Sequence, residues 1–186
     1  MDLLTHAMYG ATVCSRAGLA GGRKGSGKRH WFKDSTVWWA VLFGLGPDIV
    51  SMWIPLAMHT LSGNEENFFY LFDGNWLVVY RLSHSLIMAA VVSSVLFLCR
   101  SLLFVPSLAW TVHVVMDAVS HGTGKFQTLL FYPFSRWGVD GVNWWQAPWV
   151  LQVACVSLPL IWLALMLWRR VPDSSGIARV PGKSQK

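Results

Sequence analysis

Apolar residues in this chain fall into blocks separated by polar or glycine-rich stretches, and the blocks set the expected elements. Residues 1–20 place Leu3, Leu4, Ala7, Met8, Ala11 and Cys14 on one side of a short helix, with Thr5, His6 and Tyr9 as polar interruptions and Asp2 positioned to cap its start. That helix is marginal as a membrane span. Residues 36–61 are apolar and long enough to cross a bilayer, but Gly44, Gly46 and Pro47 interrupt them, so a helix broken at Gly46-Pro47 is expected, with Asp48 opening its second half. From Tyr80 the run YRLSHSLIMAAVVSSVLFLCRSLLF predicts another helix. Pro106 and Ser107 predict a tight turn, and a further helix follows that ends near Gly122. Residues 149–168 are the cleanest span, without a single charge, bounded by Trp144, Trp145 and Trp149 at one end and by Trp168, Arg169 and Arg170 at the other. No internal repeat is evident. The pattern predicts an all-α fold: a polytopic integral membrane bundle of about four to five embedded helices, forming one domain over residues 1–170. Residues 62–79 and 123–148 read as aromatic-rich loops, and the Pro-, Ser-, Gly- and Lys-rich tail at 171–186 reads as disordered.

Composition strengthens the membrane reading: 54% of the 186 residues are hydrophobic and 12 are Trp. The formal charge of +6 adds orientation. Arg16, Arg23, Lys24, Lys28, Arg29 and Lys33 surround the loop at 21–34, and Arg169, Arg170, Arg179, Lys183 and Lys186 end the chain, whereas Glu65, Glu66, Asp73 and Asp140 lie in the other loops. The positive-inside rule puts the basic loop and the tail in the cytoplasm and the loops at 62–79 and 123–148 outside. This topology accounts for the charge without a nucleic-acid partner. Residues 22–28 match the first seven places of a Walker A pattern, but Arg29 stands where Ser or Thr should hold magnesium and no strand precedes, so no nucleotide is expected. Asp2 stands where a secretory signal would be basic, so no cleaved signal is expected. Cys14, Cys99 and Cys155 are scattered singly, without thiolate-site spacing, and read as small buried hydrophobes.

The chemistry lies in polar residues that an apolar chain would otherwise exclude. His113, Asp117 and His121 recur every fourth position. On a helix each such step advances about 40° around the axis and about 6 Å along it, so all three share one face. Imidazole nitrogens and a carboxylate suit a borderline divalent metal such as zinc, with manganese or iron also compatible. A carboxylate inside a membrane helix is functional by default. The predicted topology brings His6, His84, Asp117 and His121 to the outer side, with Asp48 in mid-span. His113 lies about two turns deeper and is the ligand that depth favours least. The candidate ligands are therefore His6, Asp48, His84, His113, Asp117 and His121. Arg81, three residues before His84, is a candidate anchor for an anionic group. His59 has no partner at a recognisable spacing and reads as an interfacial histidine. A purely structural polar network is the competing reading of the same residues.

Thr5-His6, Pro47-Asp48, Ser83-His84-Ser85 and His113-x3-Asp117-x3-His121, followed by Tyr132-Pro133-Phe134-Ser135, together resemble the YdjM-type family of predicted membrane-bound, metal-dependent hydrolases, some of them LexA-regulated. The segment around Asp140, Trp144 and Trp145 is similar too, and the joint pattern covers most of residues 1–150 in order. Two places depart from it: Val50 stands where members often carry a second acid, and Tyr80-Arg81-Leu82 stands in place of a fuller His-Arg-Gly element. The resemblance implies a multi-pass protein of the bacterial inner membrane. It also implies metal-dependent hydrolysis; from their own positions, Asp48, His84, Asp117 and Arg81 are the residues closest to such chemistry. Activity at the outer lipid interface would suit an anionic amphipathic substrate, a phosphoester or a lipid head group. The alternative is a non-enzymatic membrane protein that binds or moves a metal ion or proton. Such a pathway would continue in polar residues toward the cytoplasm, and the inner stretches around Arg100 are dry.

Overall fold

The computed structural model describes residues 2–24, 30–63 and 67–170. The charged tail, Glu65, Glu66 and most of the Walker-like stretch lie outside the described residues. Seven α-helices follow in order: α1 (Leu3–Cys14), α2 (Ser35–Asp48), α3 (Ile54–Leu61), α4 (Asn75–Ser83), α5 (Leu86–Leu98), α6 (Phe104–Ser120) and α7 (Pro148–Arg170). No strand forms among the described residues; residues Leu129 and Gly138 make an isolated bridge.

Fewer helices are long and apolar enough to cross a membrane than the four to five expected. Two qualify, Ser35–Leu61 and Pro148–Arg170, and α4 with α5 make a third only if a pair bent by 58° counts as one span. The shortfall follows from length. At about 1.5 Å per residue, α1 with its 12 residues and α6 with its 17 fall short of a hydrocarbon core about 30 Å thick. They are instead packed within the bundle.

The expected break at Gly46-Pro47 does not occur. Helix α2 runs through Pro47, continues as a π-helical turn at Ile49–Trp53, and passes into α3 without leaving helical conformation. The wider turn absorbs the proline, and Ser51 donates its hydroxyl to the Pro47 carbonyl at 2.8 Å. Pro106 likewise makes no turn between helices. It lies in the first turn of α6, where the missing N–H costs little, and the chain reverses earlier, at residues 99–103, with Arg100 at φ 50°. The segment read as a loop at 62–79 contains a 3₁₀ turn, Phe68–Asp73, and the start of α4. Of the cysteines only Cys14 is buried; Cys99 and Cys155 are exposed.

Short polar side chains fix the helix starts. Asp2 caps α1 by accepting from the Thr5 amide at 3.0 Å and from its hydroxyl. Burial alone would raise the Asp2 carboxyl, but these bonds from Thr5 hold it below the ordinary carboxylate value. Asp34 caps α2 through the Thr36 amide and hydroxyl, at 3.0 and 2.8 Å, and Thr36 Oγ1 in turn accepts from the Arg16 amide at 3.0 Å. The end of α1 is thus tied to the beginning of α2.

Helices α1, α2 and α6 form the centre of the bundle, and small residues let them approach closely. A Cβ at Gly10 would sit 2.9 Å from the Ala40 carbonyl oxygen and 3.1 Å from Ala109 Cβ, while one at Gly44 would sit 3.0 Å from the His6 carbonyl oxygen. Below this contact, Cys14, Ala40 and Ala109 are buried with Val13, Phe43, Leu108 and Val112 packed around them. Helix α7 docks on α1: Trp162 donates its indole N–H to Thr12 Oγ1 at 3.0 Å, and the Tyr9 and Ser157 hydroxyls pair. At its end Arg169 donates to the carbonyls of Gly22, Ala17 and Gly18, at 3.0, 2.7 and 2.7 Å.

Candidate metal centre

The close approach of α1, α2 and α6 brings His6, Asp48, His113 and Asp117 into one buried cluster, and the bend between α4 and α5 adds His84. Helix α4 stops at Ser83, His84 adopts a non-helical conformation, and Ser85 restarts the chain by capping α5 through the Met88 amide at 3.2 Å. The bend is held from outside by Trp110 of α6, whose indole donates to the Ser83 carbonyl at 2.8 Å, and by the Leu86 amide, which donates to the Leu130 carbonyl at 2.9 Å. Helix α6 ends at Ser120. His121 is its C-cap, in extended conformation at φ −119°, ψ 128°. The segment at 141–144 returns alongside this end, and the amides of Gly141, Val142 and Trp144 satisfy the carbonyls of His121, Val119 and Ser120 at 2.9–3.1 Å. A side chain at Gly141 would collide with the Ala118 carbonyl oxygen at 2.6 Å, so glycine is required for that approach.

Asp117 is the hub. Its Oδ1 lies 3.0 Å from His6 Nε2 and 3.4 Å from His121 Nδ1, and its Oδ2 lies 3.1 Å from His113 Nε2 and 3.4 Å from His84 Nε2. Asp48 Oδ1 stands 3.3 Å from His84 Nε2 and 3.9 Å from His113 Nε2. A tetrahedral ion with bonds of about 2.0–2.1 Å spaces its donor atoms about 3.3 Å apart, which is the scale of all six separations. The cluster is sealed: the side chains of His6, His84, His113 and Asp117 are at most 2% exposed, whereas Asp48 keeps 19% and His121 13%.

Two backbone carbonyls decide which nitrogens face inward. His113 Nδ1 lies 2.7 Å from the Gly44 carbonyl oxygen, and His84 Nδ1 lies 3.0 Å from that of Tyr80. A carbonyl only accepts, so each Nδ1 carries the proton, and in a neutral ring Nε2 presents its lone pair to the carboxylates. A lone pair facing a carboxylate oxygen at 3.1–3.4 Å is repulsive unless a proton or a metal ion lies between them. His6 Nε2, His113 Nε2 and His121 Nδ1 are buried and lie 3.0, 3.1 and 3.4 Å from the Asp117 oxygens. His–carbonyl anchoring behind a converging donor set is the outer-shell arrangement of histidine metal ligands. Two overlapping sets could hold an ion, His6 with His113 and Asp117, and Asp48 with His84 and His113, each with donor atoms within 4.8 Å of one another.

All six residues read as ligands from the sequence therefore adjoin one cluster, although His121 belongs to neither of these sets. His113, which depth along the helix favoured least, is common to both. Arg81 is not joined to the cluster by any hydrogen bond or ion pair among the described residues; its Nε is buried and makes no hydrogen bond. His59 lies apart, its ring against Phe68. Nothing in the residue pattern signals the carbonyls of Gly44 and Tyr80. The pattern also left unread the aromatic wall behind His84, where the Tyr80 ring stacks at 4.1 Å and is backed by Phe72 and Phe126.

No family model, curated protein or solved structure matches this chain. An all-helical protein with helices able to cross a membrane, and a buried His/Asp cluster able to hold a metal ion, is what the fold and the site define.

Proposed function

We propose that this is a membrane-embedded hydrolase dependent on a divalent metal, best matched by zinc chemistry, acting on a phosphoester or lipid head group at the bilayer interface. One observation carries the metal reading: His84 and His113 are anchored through Nδ1 on backbone carbonyls while their Nε2 atoms converge on the carboxylates of Asp48 and Asp117. Bound zinc supplies hydroxide near neutral pH by lowering the pKa of its water to about 7. Asp117 and the histidines hold the ion in this reading. Asp48, the more exposed carboxylate, would complete the ligand set beside His84 and His113. Arg81 serves as an anion anchor only if substrate binding draws it toward the cluster. The ordered resemblance to the YdjM-type pattern supports the same class, and with it a bacterial inner-membrane location with the basic loop cytoplasmic.

Hydrolysis is preferred to ion movement because an apolar core adjoins the cluster on the side of the basic loop. There Cys14, Ala40 and Ala109 are buried with Val13, Phe43, Leu108 and Val112 packed around them. The test is metal analysis of detergent-purified protein, followed by hydrolysis assays on phosphodiester and phospholipid substrates with and without chelator. The proposal expects stoichiometric metal and a chelator-sensitive activity lost in Asp117→Asn. Metal without any hydrolysis would favour a non-enzymatic metal-binding role; absence of metal would remove the basis of both readings.

A further inference from the structure

Asp117 does not present its carboxylate to the four histidines as a single group. Oδ1 faces His6 and His121, and Oδ2 faces His84 and His113. We infer that the cluster is a two-metal centre with Asp117 as the bridging carboxylate, an inference that rests on the metal reading above.

Counting donors supports this division. Four imidazole nitrogens and two carboxylates exceed what one tetrahedral ion accepts. Divided by the Asp117 oxygens, they give two sets of different character. His84, His113, Asp48 Oδ1 and Asp117 Oδ2 make four protein donors, a closed set of the kind that holds a metal without an open position. His6 and His121 both face Asp117 Oδ1, and with it would make three donors and leave a fourth position for water or substrate. That requires an ion to draw in His121, which lies outside the sets whose donor atoms are all within 4.8 Å of one another. His113 stands within reach of both sets. It belongs to the closed one because its nearest carboxylate oxygen is Oδ2 and its nitrogen also faces Asp48.

The two halves also differ in how firmly their ligands are held. In the closed set both rings are anchored on carbonyls, at Tyr80 and Gly44. In the open set His6 has no hydrogen bond at either nitrogen, and His121 lies on the chain beyond the end of α6, against Trp145. Outer-shell anchoring typically changes metal affinity 10–100-fold. The closed set is therefore the tight site, and the open set is the weaker, exchangeable one.

Isothermal titration of metal-stripped protein in detergent with zinc alone tests this, with elemental analysis of the saturated samples. Wild type is expected to take up two equivalents, the second on the order of 10–100-fold more weakly than the first. His6→Ala and His121→Ala are expected to retain the tight equivalent and lose the weak one. His84→Ala is expected to lose the tight one. Wild type saturating at one equivalent overturns the two-metal inference while leaving the metal reading standing; no uptake overturns both. Because the wild-type stoichiometry decides by itself, a variant that fails to fold does not rescue the inference. Two equivalents that both persist in His6→Ala and His121→Ala overturn the assignment of the sets.

Discussion

Replacing Gly44 by Ala tests whether helix spacing sets the metal site, because the change touches no ligand. The new Cβ would sit 3.0 Å from the His6 carbonyl oxygen and 3.6 Å from the His6 carbonyl carbon. Both are backbone atoms of α1, so relief requires the helix itself to retreat by a few tenths of an ångström. Coordination distances tolerate deviations of only about 0.2 Å. The displaced backbone carries His6, whose ring stacks on His113 at 3.8 Å, and the substituted residue supplies the carbonyl that anchors His113 at 2.7 Å. One added methyl thus disturbs a ligand and an anchor together. Overpacking of this kind costs about 1–3 kcal/mol of stability, and loss of outer-shell support lowers metal affinity about 10–100-fold, or about 1.4–2.7 kcal/mol. The assay is zinc competition against a chromophoric chelator, paired with thermal unfolding in the same detergent. Val95→Ala, at an exposed position on α5, is the control and should change neither. Gly44→Ala with wild-type zinc affinity would refute the claim that the α1–α2 contact positions the ligands, whatever happened to stability.

Other substitutions probe separate supports. Trp110→Phe removes the donor to the Ser83 carbonyl and should cost about 1–3 kcal/mol while weakening metal binding through His84; unchanged unfolding and affinity would show that the α4–α5 bend holds itself. Gly141→Ala forces a Cβ to 2.6 Å from the Ala118 carbonyl oxygen and should detach the segment at 141–144 from the end of α6, raising amide exchange at Val142 and Trp144. Arg169→Lys cannot span three carbonyls with one ammonium and should destabilise the docking of α7 by on the order of 1–2 kcal/mol, read as increased proteolysis near residue 22. Acidification should release metal, since a proton competes for the same imidazole nitrogen, and binding should recover as the pH is raised again.

How much of this was legible in the sequence depends on how local each cause is. The spacing of His113, Asp117 and His121 marked one helical face because four-residue steps are a property of any helix, and Asp2 announced its cap for the same reason. Continuity through Pro47 was not legible. It depends on a π-helical turn and a Ser51 side-chain bond, whereas the sequence shows only a helix-breaking triplet. The standing of His113 changed because depth along α6 was the wrong coordinate: what matters is that α2 passes close enough at Gly44 to offer a carbonyl. His121 differs in the opposite sense. A helix continued through it would set its ring about 12 Å along the axis from His113, but the chain leaves the helix after Ser120, and Nδ1 approaches Asp117 from the extended cap. The number of spans was overestimated because apolar content was read as membrane crossing. In α1 and α6 the apolar and small residues pack against neighbouring helices around the site.

Whether His84, His113, Asp48 and Asp117 surround a divalent metal is decided by X-ray absorption at the metal edge of the detergent-purified protein. The expected spectrum shows stoichiometric metal with a nitrogen and oxygen shell at about 2.0–2.1 Å and the outer scattering of bound imidazole. A sulfur shell at about 2.3 Å, or no stoichiometric metal, would contradict that arrangement.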